Sequence, residues 1–102
     1  MARIIYATGA LADLERVTEF LLDTEPAAAV ETIGLITTAI ETLEDHPLIG
    51  RAYSADVREL VISRGRTGYV ALYRFLPARD LVAILSIRHQ RESGYSEGEP
   101  SG

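Results

Sequence analysis

The sequence predicts an α+β fold in which a small antiparallel β-sheet packs against an N-terminal α-hairpin, in the order β-α-α-β-β-β. Two observations predict it. The first half carries two apolar stripes at helical spacing, and the second half carries three apolar runs separated by short turns. The two halves also differ in charge. A chain of 102 residues with 47% hydrophobic content can form one domain with its own core.

The N-terminal half predicts one strand and the first helix. The strand spans Arg3 to Tyr6, and Thr8 is placed to cap the helix that follows, because its hydroxyl can accept a free backbone N–H. The apolar stripe of this helix consists of Leu11, Leu14, Val17, Leu21 and Leu22. The helix should end near Glu25, since Pro26 disfavours a helical residue before it.

A second helix should begin at Pro26, which suits a first helical turn. Its stripe alternates spacings of four and three, a pattern that packs against an antiparallel neighbour: Ala29, Ile33, Ile36, Ile40 and Leu43. His46-Pro47 ends it. The very short link between the helices predicts an α-hairpin.

The second half predicts an antiparallel meander of three strands. The order is a loop over 48–55, strands over 57–63, 69–76 and 81–89, and tight turns between them. Residues 1–91 should form the domain, and the polar tail of residues 92–102 should be mobile. The predicted core joins Leu14, Val17, Leu21, Ile33, Ile36 and Ile40 of the hairpin to Leu60, Ile62, Leu72 and Ile84 of the sheet.

Charge is distributed unevenly along the chain. Residues 1–50 hold two arginines against nine acids, whereas residues 51–91 hold eight arginines against three acids. The net charge of −5 alone argues against a nucleic-acid binder, but the arginine-rich segment suits an acidic partner or a phosphate. This contrast predicts a basic surface on the sheet.

Several chemistries are excluded by residue content. Without cysteine, and with only two histidines, the chain has no disulfide framework and no metal-ligand spacing. No glycine-rich phosphate-binding pattern precedes a helix, so no cofactor is expected. No signal peptide or membrane span is evident, which favours a cytoplasmic protein with no membrane partner.

Five local motifs, in order, resemble the RelE/ParE toxin superfamily of type II toxin–antitoxin systems. They are Ala12-Asp13-Leu14, His46-Pro47 with Gly50-Arg51, Arg58-Glu59-Leu60-Val61, the Tyr69 to Arg74 strand, and Ile84 to Arg91 with its His89-Gln90-Arg91 ending. The resemblance as a whole extends over residues 3–91. The resemblance implies the same β-α-α-β-β-β fold and a cognate antitoxin of the ParD/RelB kind.

The resemblance also implies a choice between two activities. One branch of the superfamily cleaves mRNA, usually on the ribosome, and the ParE branch inhibits DNA gyrase without cutting nucleic acid. The apolar hairpin and the loop motif look closer to the ParE branch, so gyrase inhibition is the expected function. The alternatives are a RelE-like endoribonuclease and a non-toxic homologue that only binds antitoxin.

Candidate site residues follow from these alternatives. The basic surface for target or antitoxin would consist of Arg51, Arg58, Arg64, Arg66, Arg74, Arg88 and Arg91. A nuclease would need phosphate-facing arginines and a proton-transfer group, drawn from His89, Arg91, Arg74, Arg58 and Tyr95.

Structural roles compete with these assignments. His89 at a strand end suits a structural hydrogen bond, Arg58 and Arg74 suit ion-paired scaffold, and the turn arginines suit solvent. Neighbouring residues on a strand point to opposite faces, so Arg88 and His89 should lie on different sides of the sheet.

Overall fold

The computed structural model of the protein describes residues 1–62 and 68–89. Its elements are β1 (Arg3–Tyr6), α1 (Thr8–Thr24), α2 (Pro26–Glu41), a 3₁₀ turn (Thr42–Glu44), β2 (Arg51–Ser54), β3 (Val57–Val61), β4 (Tyr69–Leu76), a second 3₁₀ turn (Pro77–Arg79) and β5 (Leu81–His89). The turn arginines Arg64 and Arg66 and the tail of residues 92–102 lie outside the described residues. No helix in the described ranges is long and apolar enough to cross a membrane.

The five strands form one mixed sheet in the order β1-β5-β4-β3-β2. Strands β2 to β5 are a continuous antiparallel meander, and β1 joins its far edge by pairing in parallel with β5. The helices follow β1 and return the chain to the opposite edge. The predicted α+β fold is therefore confirmed, including the bounds of β1, β4 and β5.

The sheet has one strand more than the sequence predicted. The segment over 48–55 was expected to be a loop, but Arg51–Ser54 forms β2, which pairs with β3 across a tight turn at Ala55-Asp56. Ala55 adopts a φ of 31°, a conformation that alanine rarely takes. All four β2 residues are exposed, so no apolar alternation marks the strand in the sequence.

The hairpin follows the predicted plan with two corrections. The second helix was expected to end at His46-Pro47, but α2 ends at Glu41 and continues into the 3₁₀ turn Thr42–Glu44. Pro26 occupies the first turn of α2, and Glu25 alone separates the helices, as expected. The prediction that Thr8 caps α1 is wrong. Ala7 is the N-cap, Thr8 is already helical, and no side chain caps the helix. The first turn is tied instead to the sheet, because the Ala7 N–H donates to the Ile84 carbonyl at 2.9 Å.

The core lies between the hairpin and one face of the sheet. Its fully buried large side chains are Ile36, Ile40, Leu43, Tyr73, Val82, Ile84 and Ile87. The predicted hairpin residues Val17, Leu21, Ile36 and Ile40 are all buried. Leu72, predicted to join them, instead pairs with Glu59 and Ser86 on the other face. In a strand with apolar residues in both alternating sets, the pattern alone does not select the inner face.

Strand β5 contains a bulge. Tyr73 pairs with Ile84 but the preceding Leu72 pairs with Ser86, so Leu85 is an extra residue without a partner on β4. An extra residue reverses the facing of every side chain that follows it. Ile87 therefore points into the core, and Arg88 points away from the helices.

We expect Ile36→Ala to lower the free energy of unfolding by about 2–5 kcal/mol, because it removes three buried carbons and leaves a cavity. Urea denaturation followed by circular dichroism measures the change. Leu35→Ala is the matched control on the same helix. The Leu35 side chain is 48% exposed, so its truncation should lower the free energy of unfolding much less. Equal losses for the two variants would contradict the assigned packing of α2.

Candidate functional site

The sheet separates the candidate residues by face. Directly paired residues on adjacent strands share a face, so the register assigns each side chain. One face, which we call the helix-free face, carries the pairs of Leu72 with Glu59 and of Arg74 with Ala83. By the same register it carries four arginines, one from each of four strands: Arg3, Arg51, Arg74 and Arg88.

Two of these arginines are engaged within the sheet. Arg51 Nε donates to Glu59 Oε1 at 2.6 Å, and the Arg51 side chain remains 71% exposed. Arg74 Nε lies 3.1 Å from Asp56 Oδ2, an ion pair without hydrogen-bond geometry. Asp56 is 65% exposed, so its pair with Arg74 contributes about 0–1 kcal/mol, whereas the Glu59 side chain is only 15% exposed and stays with Arg51.

The other two arginines have no ion pair with an acid of the described residues. Among the described residues, neither Arg3 nor Arg88 forms an ion pair, and both are exposed. Within the described residues, the helix-free face therefore carries more arginines than acids. Guanidinium groups at such spacing suit carboxylates or phosphates of a macromolecular partner.

Arg58 has a different position from the other candidates. It pairs with Tyr73, which places it on the helix side of the sheet, and its Nη1 donates to the Gly50 carbonyl at 2.7 Å and the Leu48 carbonyl at 3.3 Å. Arg58 thus holds the backbone of the loop before β2. This contact matches the scaffold role that the sequence left open for it.

Tyr73 completes this clamp from the other side. Its hydroxyl donates to the Pro47 carbonyl at 2.8 Å and accepts the Gly50 N–H at 2.9 Å. Gly50 is required at this point, because a Cβ there would lie 2.7 Å from the Tyr73 ring and hydroxyl. The His-Pro and Gly-Arg motif of the sequence is therefore a tied loop that leaves Leu48 and Ile49 exposed.

His89 lies on the opposite side of the sheet from Arg88. It pairs with Tyr69, and the two rings meet edge to face with centroids 5.1 Å apart. This confirms the predicted opposite facing of the two neighbours. The remaining candidates, Arg64, Arg66, Arg91 and Tyr95, lie outside the described residues.

Neither perturbed tyrosine is activated as a base. Burial raises the pKa of Tyr73 above its ordinary value, against smaller lowering effects of the Gly50 hydrogen bond and Arg58. Burial, followed by the charge of Glu41, raises the pKa of Tyr6. Both phenols stay protonated near neutral pH. In the described ranges no group of three or more histidines and acids could hold a metal ion.

Arg3 is the residue of this face that sequence reasoning missed. The alternation of β1 was visible, but the pairing of β1 with β5 was not, since the two strands are about eighty residues apart in the chain. Only that pairing puts Arg3 on the same face as Arg74 and Arg88. A parallel partner so distant leaves no local signal in the sequence.

Comparisons with known proteins agree on the kind of protein this chain resembles. Residues 4–94 match the model of the ParE toxin of the type II toxin–antitoxin system, parDE. Toxin RelE3 of Caulobacter vibrioides is 42% identical over 80 residues, which cover 78% of this chain and 85% of that toxin.

Two solved toxin–antitoxin complexes contain chains of the same fold. The chromosomal ParDE system from P. aeruginosa matches with a TM-score of 0.71 and 22% identity, covering 87% of this chain and 96% of that one. The intact E. coli RelBE complex matches with a TM-score of 0.61 and 11% identity over the same shares of each chain. At these identities the structures establish the fold.

We expect Tyr73→Phe to lower the free energy of unfolding by about 1–3 kcal/mol, because it leaves the Gly50 N–H and Pro47 carbonyl without their shared partner. Urea denaturation measures the loss. The control is Tyr53→Phe. Tyr53 is 59% exposed and its hydroxyl makes no hydrogen bond to a described group, so this substitution should cost almost nothing. A loss no larger than that of the control would show that the hydroxyl does not hold the loop.

The raised pKa of Tyr73 also predicts a dependence on pH. The folded state favours the neutral phenol, so its stabilisation is complete below the ordinary value of 10.0 and is lost as the pH rises through the higher folded value. The free energy of unfolding of the wild type should therefore fall more steeply above pH 10 than that of Tyr73→Phe. Parallel curves for the two proteins would refute this.

Proposed function

This chain belongs to the ParE toxin family of type II toxin–antitoxin systems, and from that premise we propose that it inhibits DNA gyrase by binding it, without cutting nucleic acid. The helix-free face, with Arg3, Arg51, Arg74 and Arg88, is the proposed target surface. Gyrase is a cytoplasmic enzyme, so we place the action of the toxin in the cytoplasm.

The observation that carries this proposal is the separation of His89 from the basic face. RNA cleavage needs a proton donor or acceptor within hydrogen-bond reach of the groups that stabilise the phosphate. His89 lies on the helix side beside Tyr69, whereas Arg74 and Arg88 point the other way. In the described part of the chain, His89 and these arginines therefore cannot act on one phosphate together. An inhibitor that only binds its target does not need them to.

Charge complementarity supports binding through this face. Arg3 and Arg88 have no acidic partner among the described residues, and the Arg74 pair is exposed on its Asp56 side. A partner with an acidic surface can replace Asp56 at modest cost, because an exposed surface pair contributes about 0–1 kcal/mol, and it can reach the Arg51 side chain, which is 71% exposed beside Glu59. Such complementarity mainly accelerates association.

A RelE-like endoribonuclease is the second candidate. It is favoured by the 42% identity to a protein named Toxin RelE3, which is higher than the identity to the ParDE chain of known structure. Its catalytic groups would include Arg91 and Tyr95, both beyond the described residues. The ribosome and its mRNA would then replace gyrase as the target.

The cognate antitoxin is the second proposed partner. The structural neighbours belong to complexes titled ParDE and RelBE, which supports a ParD- or RelB-like antitoxin for this chain. We propose that an acidic or amphipathic antitoxin segment, disordered before it binds, covers the helix-free face. Antitoxin and target would then compete for the same arginines.

We expect His89→Gln to remain toxic on inducible expression in a bacterium, with filamentation and a DNA damage response. Purified protein should inhibit supercoiling by gyrase and leave mRNA intact with or without ribosomes. The matched variant carries Arg3→Gln, Arg74→Gln and Arg88→Gln, and it should lose toxicity because the basic face is gone. Removal of a proton-transfer group from a nuclease would instead cost about 10²–10⁴ in rate.

The nuclease replaces the gyrase inhibitor as the function if His89→Gln abolishes toxicity while fold and antitoxin binding persist, and the wild type cuts ribosome-bound mRNA. An absence of any effect of the wild type on growth, supercoiling and mRNA would leave the third class, a homologue that only binds antitoxin.

We also expect added salt to slow association with the antitoxin more than it speeds dissociation. Salt screens the arginines that steer the encounter, whereas apolar contacts of the antitoxin, which salt does not screen, hold the formed complex. Stopped-flow association and dissociation rates at several salt concentrations measure both effects. Association rates that do not change with salt would count against antitoxin binding on the basic face.

A further inference from the structure

We propose that Asp13 is a positioning residue for the helix-free face, because its carboxylate takes the place of a neighbouring strand beside the bulged end of β5. The Ile87 N–H donates to Asp13 Oδ2 at 2.9 Å, and the Asp13 side chain is only 16% exposed. This is a bond from the middle of β5 to a helix 74 residues earlier in the chain.

The need for this contact follows from the length of β1. That strand pairs with β5 only from Leu81 to Ile84, and the chain then turns into α1. Beyond Ile84, the edge of β5 on that side has no strand neighbour among the residues that the structure describes. Backbone groups near the core that lack partners are costly, so this edge needs another acceptor.

The N-cap and the first turns of α1 lie along this edge instead and make three contacts with it. The Ala7 N–H donates to the Ile84 carbonyl, and Gly9 approaches so closely that a Cβ there would lie 3.3 Å from the Leu85 carbonyl oxygen. Asp13 then accepts the Ile87 N–H. The helix thus runs along the edge where β1 stops and fixes the segment that contains the bulge.

The bulge decides where Arg88 points. Ile84 and Ile87 both face the core although they are three residues apart, which is possible only with the extra residue Leu85 between them. Without the bulge, regular alternation from Ile84 would turn Arg88 toward the helices. Asp13 therefore controls a residue of the basic face that it does not touch.

The test compares Asp13→Leu, which removes the acceptor, with Asp13→Asn, whose amide oxygen can still accept the Ile87 N–H. Asp23→Leu is the control, since it makes the same charge change on an exposed residue of the same helix. We expect the Ile87 amide to exchange its hydrogen about ten-fold or more faster in Asp13→Leu, as loss of a bond to a charged group predicts, and near the wild-type rate in the other two.

The affinity for a short poly-glutamate peptide should change in opposite directions in Asp13→Leu and in the control Asp23→Leu. Loss of a negative charge alone should strengthen binding, as in Asp23→Leu, whereas loss of the Arg88 position should weaken it in Asp13→Leu. Arg88→Gln should weaken binding similarly, and the Asp13→Leu, Arg88→Gln double variant should lose little more, because both changes act on one side chain. Asp13→Asn should restore the affinity.

Unchanged Ile87 exchange in Asp13→Leu, or peptide binding that strengthens as in Asp23→Leu, would overturn the assignment. If Asp13→Leu does not fold, Asp13→Glu is measured in its place, since it keeps the charge and displaces the acceptor. The expected effect of Asp13 on toxicity rests on the proposed function, whereas its effect on Ile87 exchange and peptide binding does not. Altered exchange and weakened binding in a fully toxic Asp13→Leu would support the positioning role and refute the basic face as target surface.

Discussion

The bulge at Leu85 is the constraint on which the rest of this structure depends. It lets β5 present Val82, Ile84 and Ile87 to the core and still turn Arg88 outward. Residues 7–13 secure it along the edge that β1 leaves uncovered, through hydrogen bonds at Ile84 and Ile87. Because a one-residue change of register reverses a whole strand segment, the core and the basic face depend on the same local irregularity.

A second constraint acts at the other end of the sheet. Tyr73 lies wholly inside the core, and its hydroxyl and the Arg58 guanidinium hold the carbonyls and amide of residues 47–50. The loop carries its exposed apolar side chains on a fixed backbone as a result. Arg58, a candidate site residue in the sequence, is in this region part of the scaffold. On the helix-free face, Arg3 and Arg88 are the arginines without an ion pair to a described acid.

These two constraints divide the roles of the two faces of one small sheet. The helix side is used for the core, the tied loop and His89, and the helix-free side is left for arginines that arrive from four strands. Separation of the histidine from those arginines favours recognition over cleavage. Competition between an acidic antitoxin segment and a target for the same guanidinium groups would give neutralisation without any change in the fold.

The sequence by itself determined the element order, the bounds of β1, β4 and β5, the burial of Ile36 and the opposite facing of Arg88 and His89, because these follow from local periodicity and from proline and glycine. Tertiary structure alone decided the presence of β2, the facing of Leu72 and the membership of Arg3 in the basic face. An exposed strand has no apolar period, a strand apolar on both faces has no preferred side, and a parallel pairing across about eighty residues depends on the packed hairpin between its strands.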